Sequence, residues 1–181
     1  IHDDIAMKHL IIIGLLWLAL AVPASAETYQ APEDFLREAF SGDVPQPAVL
    51  WLTGAVREQA KAILGHEPAQ LRVRYWQQAQ RSAWILDEIG KEKPITTGLV
   101  IEAGRIERIR VLVFRESRGW EVRHDFFTDQ FKQRSLNTDS KLDGHIDGIS
   151  GATLSVRALT NLARLALYFH QQIPATAHVT P

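Results

Sequence analysis

No cysteine occurs among the 181 residues. Disulfides, thiolate metal sites, a cysteine nucleophile and a lipid-attachment cysteine are excluded with it. A charge excess is missing too, since 20 Lys and Arg against 21 Asp and Glu leave a formal net charge of −1. That balance supplies no electrostatic footprint for nucleic acid and no acidic tail. No apolar run reaches the roughly 20 residues a helix needs to span a bilayer. The longest, Leu10 to Val22, stops at Pro23. Internal repeats are absent, and so is a Gly-x-Ser-x-Gly nucleophile elbow. His145, Asp147 and Ser150 are triad residue types, but neighbours in sequence do not make triad geometry. The seven histidines are scattered, and the groupings a metal could use, His124 with Asp125 and His145 with Asp143 and Asp147, are too sparse to assign a site. No catalytic residue and no metal ligand is therefore assigned.

What the N-terminus does contain is a three-part pattern. Met7-Lys8-His9 is a short basic start, Leu10 to Val22 is apolar, and Ala24-x-Ala26 offers small side chains to a signal peptidase. Residues 7–26 read as a secretory signal, so a periplasmic location is expected, with a retained membrane anchor as the alternative. Residues 1–6, with Asp3 and Asp4, read as an upstream extension. The folded part is expected to span 27–173, followed by a flexible tail at 174–181 holding Pro174 and Pro181.

Pro32-Glu33-Asp34 opens a helix, with proline in the first turn and carboxylates near its positive end. Ser41-Gly42-Asp43 with Pro45 and Pro47 ends it. A second helix is expected over Thr53 to Leu64, stopped by Gly65 and Pro68. The period then changes. Leu71, Val73 and Tyr75 alternate with polar residues, as do Trp84, Leu86 and Glu88 more loosely. Ile95 to Ile101 and Ile106 to Phe114 are β-branched strands joined by a hairpin turn at Glu102-Ala103-Gly104-Arg105. In the second of them Ile109, Val111 and Val113 should face one way, and Arg108, Arg110 and Leu112 the other. From Leu154 onward, Ala158, Leu159, Leu162, Leu165, Ala166 and Phe169 form one helical stripe, with Arg157, Asn161 and Arg164 facing out. The class is α+β: a mainly antiparallel sheet of four or five strands with packed helices.

Just before that last helix lies Asp147-Gly148-Ile149-Ser150-Gly151-Ala152-Thr153. Two glycines and an alanine strip the turn of side-chain bulk, so backbone N–H groups and the helix dipole can converge on an anion such as a phosphate. A plain helix start, capped by Ser150 or Thr153, is the simpler alternative.

The same segment, Asp147-x-x-Ser150-Gly151-Ala152-Thr153, resembles the flavinylation motif of the FMN-binding domain family. That family includes the C subunit of the sodium-translocating NADH:quinone reductase and the G subunit of the Rnf complex. All five fixed positions match, an event expected by chance on the order of once in ten thousand chains of this length. The resemblance therefore outweighs the plain cap. It implies that a Mg²⁺-dependent flavin transferase moves FMN from FAD onto the Thr153 hydroxyl as a phosphoester. Gly151 and Ala152 would give close access to the backbone, and Asp147 would be read by the transferase or else form the turn through its own side chain. Ser155 is a second hydroxyl nearby.

The likeness runs with less specificity from Thr97 to Gln171. Glu116-Ser117-Arg118-Gly119 resembles a Glu-Ser/Thr-x-Gly loop near the flavin, with Arg118 where proline is frequent and Trp120 in place of further glycine. Asp129-Gln130-Phe131-Lys132 resembles a Gln-Phe-Lys-Gly turn, with Gln133 replacing the glycine. Trp120, Phe126, Phe127 and Phe131 are candidates to flank the isoalloxazine ring, Trp120 foremost. Arg118, Arg123 and Lys132 are candidates to favour the reduced, anionic flavin or the phosphate. Glu116, Gly119, Trp120, Asp147, Ser150, Gly151, Ala152 and Thr153 thus form the expected cofactor site.

A covalent flavin without a nicotinamide fingerprint implies an extracytoplasmic electron carrier served by a membrane-embedded redox partner. A flavin-dependent periplasmic reductase and a non-flavin binding module are the alternatives.

Overall fold

The computed structural model describes residues 26–174. Most of the expected signal segment, the upstream extension and all but Pro174 of the expected tail lie outside the described residues. Ten elements follow in order: β1 (Glu27–Thr28), α1 (Pro32–Ala39), β2 (Ala48–Trp51), α2 (Gly54–Leu64), β3 (Arg72–Gln78), β4 (Arg81–Ile89), β5 (Pro94–Glu102), β6 (Arg105–Phe114), α3 (Asp125–Thr128) and α4 (Thr153–Gln172). Two 3₁₀ turns, Trp120–Arg123 and Asp129–Phe131, flank α3.

The strands form one antiparallel sheet in the order β1-β6-β5-β4-β3-β2. Six strands replace the expected four or five. The two additions are the edges, β1 with 2 residues and β2 with 4. Segments that short hold too few residues to show a period-2 alternation. What makes them strands is pairing: Glu27 lies opposite Phe114, and Leu50 opposite Val73.

Both faces of the sheet are covered, so β5 is buried almost continuously rather than alternately. On one face α1 packs Phe35, Leu36 and Ala39 against Ala83, Val100 and Leu112. The Phe35 ring fills the gap over Gly98, where an added Cβ would lie 2.7 Å from the ring. On the other face α2 and α4 cover Trp84, Leu99, Ile101, Ile109 and Phe114. Trp84 stacks on Tyr75 at a centroid distance of 5.1 Å and meets the tilted Phe169 ring at 5.6 Å. Among the described residues no helix is long and apolar enough to cross a membrane.

Two expected facings differ. Thr96 pairs with Val113 but Thr97 with Val111, so Leu112 is the extra residue of a β-bulge. The bulge sends Val113 to the α1 face and Phe114 to the α4 face, which removes Val113 from the side of Ile109 and Val111. Asn161, expected to face out, is only 9 % exposed and donates from Nδ2 to the Leu64 carbonyl at 3.3 Å. It satisfies one of the orphan carbonyls at the end of α2.

Candidate functional site: the turn before α4

Gly151 has φ +81°, the left-handed conformation that glycine adopts without steric cost. It closes a turn in which the Ala152 N–H donates to the Ile149 carbonyl at 3.0 Å. A Cβ added at Gly148 or Gly151 would meet nothing within 4 Å, so both glycines border open space. Ala152, by contrast, is buried and serves as the N-cap residue of α4.

No side chain hydrogen-bonds to the start of α4. The capping role considered for Ser150 or Thr153 is therefore not realised. Thr153 is instead the first helical residue, with its side chain exposed. The first-turn N–H groups of a helix have no partner within it, and here no side-chain oxygen competes for them. The first turn also contains no acidic residue. An exposed hydroxyl thus stands beside an uncapped, positively polarised helix end, and that combination suits a phosphate ester on Thr153.

The motif is anchored from the opposite side by Gln130. Its Oε1 accepts the Asp147 N–H at 2.7 Å, and its Nε2 donates to the Asp147 carbonyl at 3.5 Å. The Asp147 carboxylate is left outside, its side chain 83 % exposed and 3.5 Å from His145 Nε2. Phe131, next to Gln130, is fully buried and meets Phe127 edge to face at 5.4 Å. Gln133 has φ +64°, so the turn keeps a left-handed residue where the resembling turn has glycine. Gln130 was legible only as part of a segment resemblance, because nothing local says that an amide will bridge to a peptide 17 residues on.

In the Glu-Ser-Arg-Gly loop, the Glu116 carboxylate is engaged by the chain between β4 and β5. Its Oε1 accepts the N–H groups of Lys91, Glu92 and Lys93 at 2.5, 2.7 and 2.9 Å. Burial pushes its carboxyl up, but the three amides and the Lys91 charge outweigh that and hold it below the usual carboxylate range. Glu116 therefore organises the β4–β5 turn. Gly119, at φ +85°, is the member of the loop that touches the motif: an added Cβ would lie 2.5 Å from Ser155 Oγ and 3.5 Å from Ala152 Cα. Ser155 is correspondingly buried, unlike Thr153.

The four candidate aromatics divide in two. Phe127 and Phe131 are core and cannot flank a ligand, whereas Trp120 and Phe126 are 43 % and 65 % exposed. His124 connects them, edge-on to Trp120 at 5.5 Å and stacked on Phe126 at 6.2 Å. This aromatic row starts one residue after Gly119, the loop residue that touches the motif. The Arg123 guanidinium sits between two rings, 5.1 Å from Trp120 and 4.3 Å from Tyr29. Arg123, Tyr29, Arg37, Arg110 and His124 line an open groove of about 1020 Å³. Tyr29 and Arg37 gave no sign of this in the sequence, because strand pairing and helix packing bring them there. Lys132 is paired with Asp129 at 2.7 Å, and Arg118 is exposed.

Residues 90–168 match the family model of the FMN-binding domain. The match begins at the turn that Glu116 holds and ends within α4, so it contains the turn, the aromatic row and Thr153. No curated protein sequence matches the chain. The exposed hydroxyl, the uncapped helix start and the glycine-lined space are compatible with a phosphate-linked flavin, and over residues 90–168 this chain is an FMN-binding domain of that family.

Proposed function

We propose that the protein is an extracytoplasmic electron-transfer flavoprotein whose FMN is joined by a phosphoester to Thr153 Oγ1. The observation that carries this is the exposed Thr153 hydroxyl at a helix start that no side chain caps. In the attachment step a flavin transferase, with Mg²⁺, delivers the FMN half of FAD. The Thr153 oxygen bonds to the FMN phosphorus, the pyrophosphate bond of FAD breaks, AMP leaves and the hydroxyl proton passes to solvent. The exposed Asp147 carboxylate is a recognition element for the transferase. Gly151 and Ala152 keep the approach to the hydroxyl free of bulk.

When bound, the flavin supplies one- and two-electron redox chemistry. The chain's own residues orient it: Trp120 and Phe126 offer apolar ring faces, and Arg123 adds positive charge beside Trp120. Helix-end electrostatics are worth only about 0.3–1 kcal/mol at an exposed site. They cannot retain FMN by themselves, and a covalent link gives the retention that an exported carrier needs. Electrons arrive from a membrane-embedded redox partner. Export follows from the signal pattern of residues 7–26, and N-terminal sequencing of the periplasmic form should start at Glu27.

The decisive experiment is co-expression with a flavin transferase in an exporting host, followed by intact-mass measurement. The expected gain is FMN minus one water in the native chain and none in Thr153→Ala, with partial labelling in Thr153→Ser. Full labelling of Thr153→Ala, or peptide mapping of FMN to Ser150 or Ser155, would refute the assignment.

A further inference from the structure

A second cavity lies on the α4 side of the sheet, between α2, strands β3 and β4 and the C-terminal half of α4. Its volume is about 340 Å³, within the range of small-molecule sites. Leu52, Leu64, Val73, Leu86, Leu165 and Phe169 make its walls apolar. Leu165 is 12 residues past Thr153, or about 18 Å along the helix axis. The cavity is therefore separate from the flavin turn.

One side chain in the wall breaks the apolar pattern. Glu88 follows Trp84 and Leu86 at two-residue spacing, so it points to the face that the helices cover, and it is 7 % exposed. Its Oε1 receives His66 Nε2 at 2.9 Å. His66 Nδ1 lies 3.0 Å from the Glu67 carbonyl. Both ring nitrogens thus face acceptors, a geometry that favours the protonated imidazole beside Glu88. Glu88 Oε2 has no hydrogen-bond partner among the described residues. The His66 side chain is half exposed, so the pair sits at the mouth of the cavity with only Glu88 buried. A carboxylate in the lining of an open apolar cavity, with one oxygen free of partners within the described residues, can accept a hydrogen bond from a bound molecule.

We infer that this cavity is a second binding site, for a neutral, ring-sized apolar molecule bearing a hydroxyl or amine that donates to Glu88. Neutrality follows from the pair: His66 already compensates the carboxylate, so a charged ligand would enter an apolar cavity uncompensated. A donor follows because an ionised carboxylate only accepts.

The test uses the full chain expressed without a flavin transferase, so its outcome is independent of FMN attachment. 2-Naphthol and naphthalene serve as probes, differing by one hydroxyl, and binding is followed by methyl NMR shifts of Leu64, Leu86 and Leu165. The expected result is saturable shifts with 2-naphthol and an affinity about tenfold above that for naphthalene, the order expected for a hydrogen bond to a charged acceptor. Glu88→Gln should bring the ratio towards one. Ala69→Trp, at an exposed position on the cavity rim, should abolish binding while leaving the fold intact. Absence of shifts at saturating 2-naphthol, equal affinities for the two probes, or binding unchanged by Ala69→Trp would overturn the proposal.

Discussion

Gly119 and Ser155 pack so closely that a methyl group on the first would sit 2.5 Å from the hydroxyl oxygen of the second. Through this contact the loop after β6 rests on the first turn of α4. Gly119→Ala should cost roughly 1–2 kcal/mol for a left-handed non-glycine residue, plus the clash. A fall in Tm of at least about 5 °C is expected. Ser155→Ala removes the oxygen and leaves the serine Cβ 3.3 Å away, so the double variant should recover part of the loss. Additive losses in calorimetry would show that the two residues are not coupled.

Glu116 supports three backbone amides at once, so Glu116→Ala should destabilise by about 1–3 kcal/mol even with water replacing some of the bonds. Its carboxyl is held below the ordinary value of 4.5 in the folded protein. Its stabilising contribution is therefore full above that value and fades as pH falls through the lowered one. Acid titration of unfolding free energy should show a shallower loss in Glu116→Gln than in the native chain. Parallel curves would assign the amides another acceptor.

The reading of Trp120 as a flavin neighbour makes a spectroscopic demand. Attachment of FMN should quench a share of the tryptophan emission that is missing from Trp120→Leu. The same substitution should shift the flavin absorption bands while leaving the mass gain at Thr153 unchanged. Identical spectra would return Trp120 to a surface role.

His66 should behave as a pH-dependent strut. The Glu88 hydrogen bond, followed by that to the Glu67 carbonyl, raises its pKa above 6.5, while burial works against them. A raised folded pKa means the added stability is complete below 6.5 and disappears as pH climbs through the folded value. The stability difference between the native chain and His66→Gln should be larger at pH 6 than at pH 9. An equal difference at both would sever the link to Glu88.

Local patterns settled much of this protein. The stripe from Ala158 to Phe169 announced α4, because helical spacing of apolar residues is a property of one segment. The hairpin formed where Ala103 and Gly104 take φ +49° and +76°. The turn chemistry of Gly151 and the exposed hydroxyl of Thr153 lay within seven consecutive residues, so they too were legible without a fold. What the tertiary structure decided is everything that depends on distant segments meeting. Phe127 and Phe131 went to the core while Trp120 and Phe126 stayed at the surface, although the sequence set only Trp120 apart from the other three. Leu112 bulged because the registers on its two sides differ by a residue. Glu116 turned to the β4–β5 amides, and Gln130 to the Asp147 peptide. Such side chains have several possible partners in an unfolded chain, and only packing of the sheet against its helices leaves one of them within hydrogen-bonding distance.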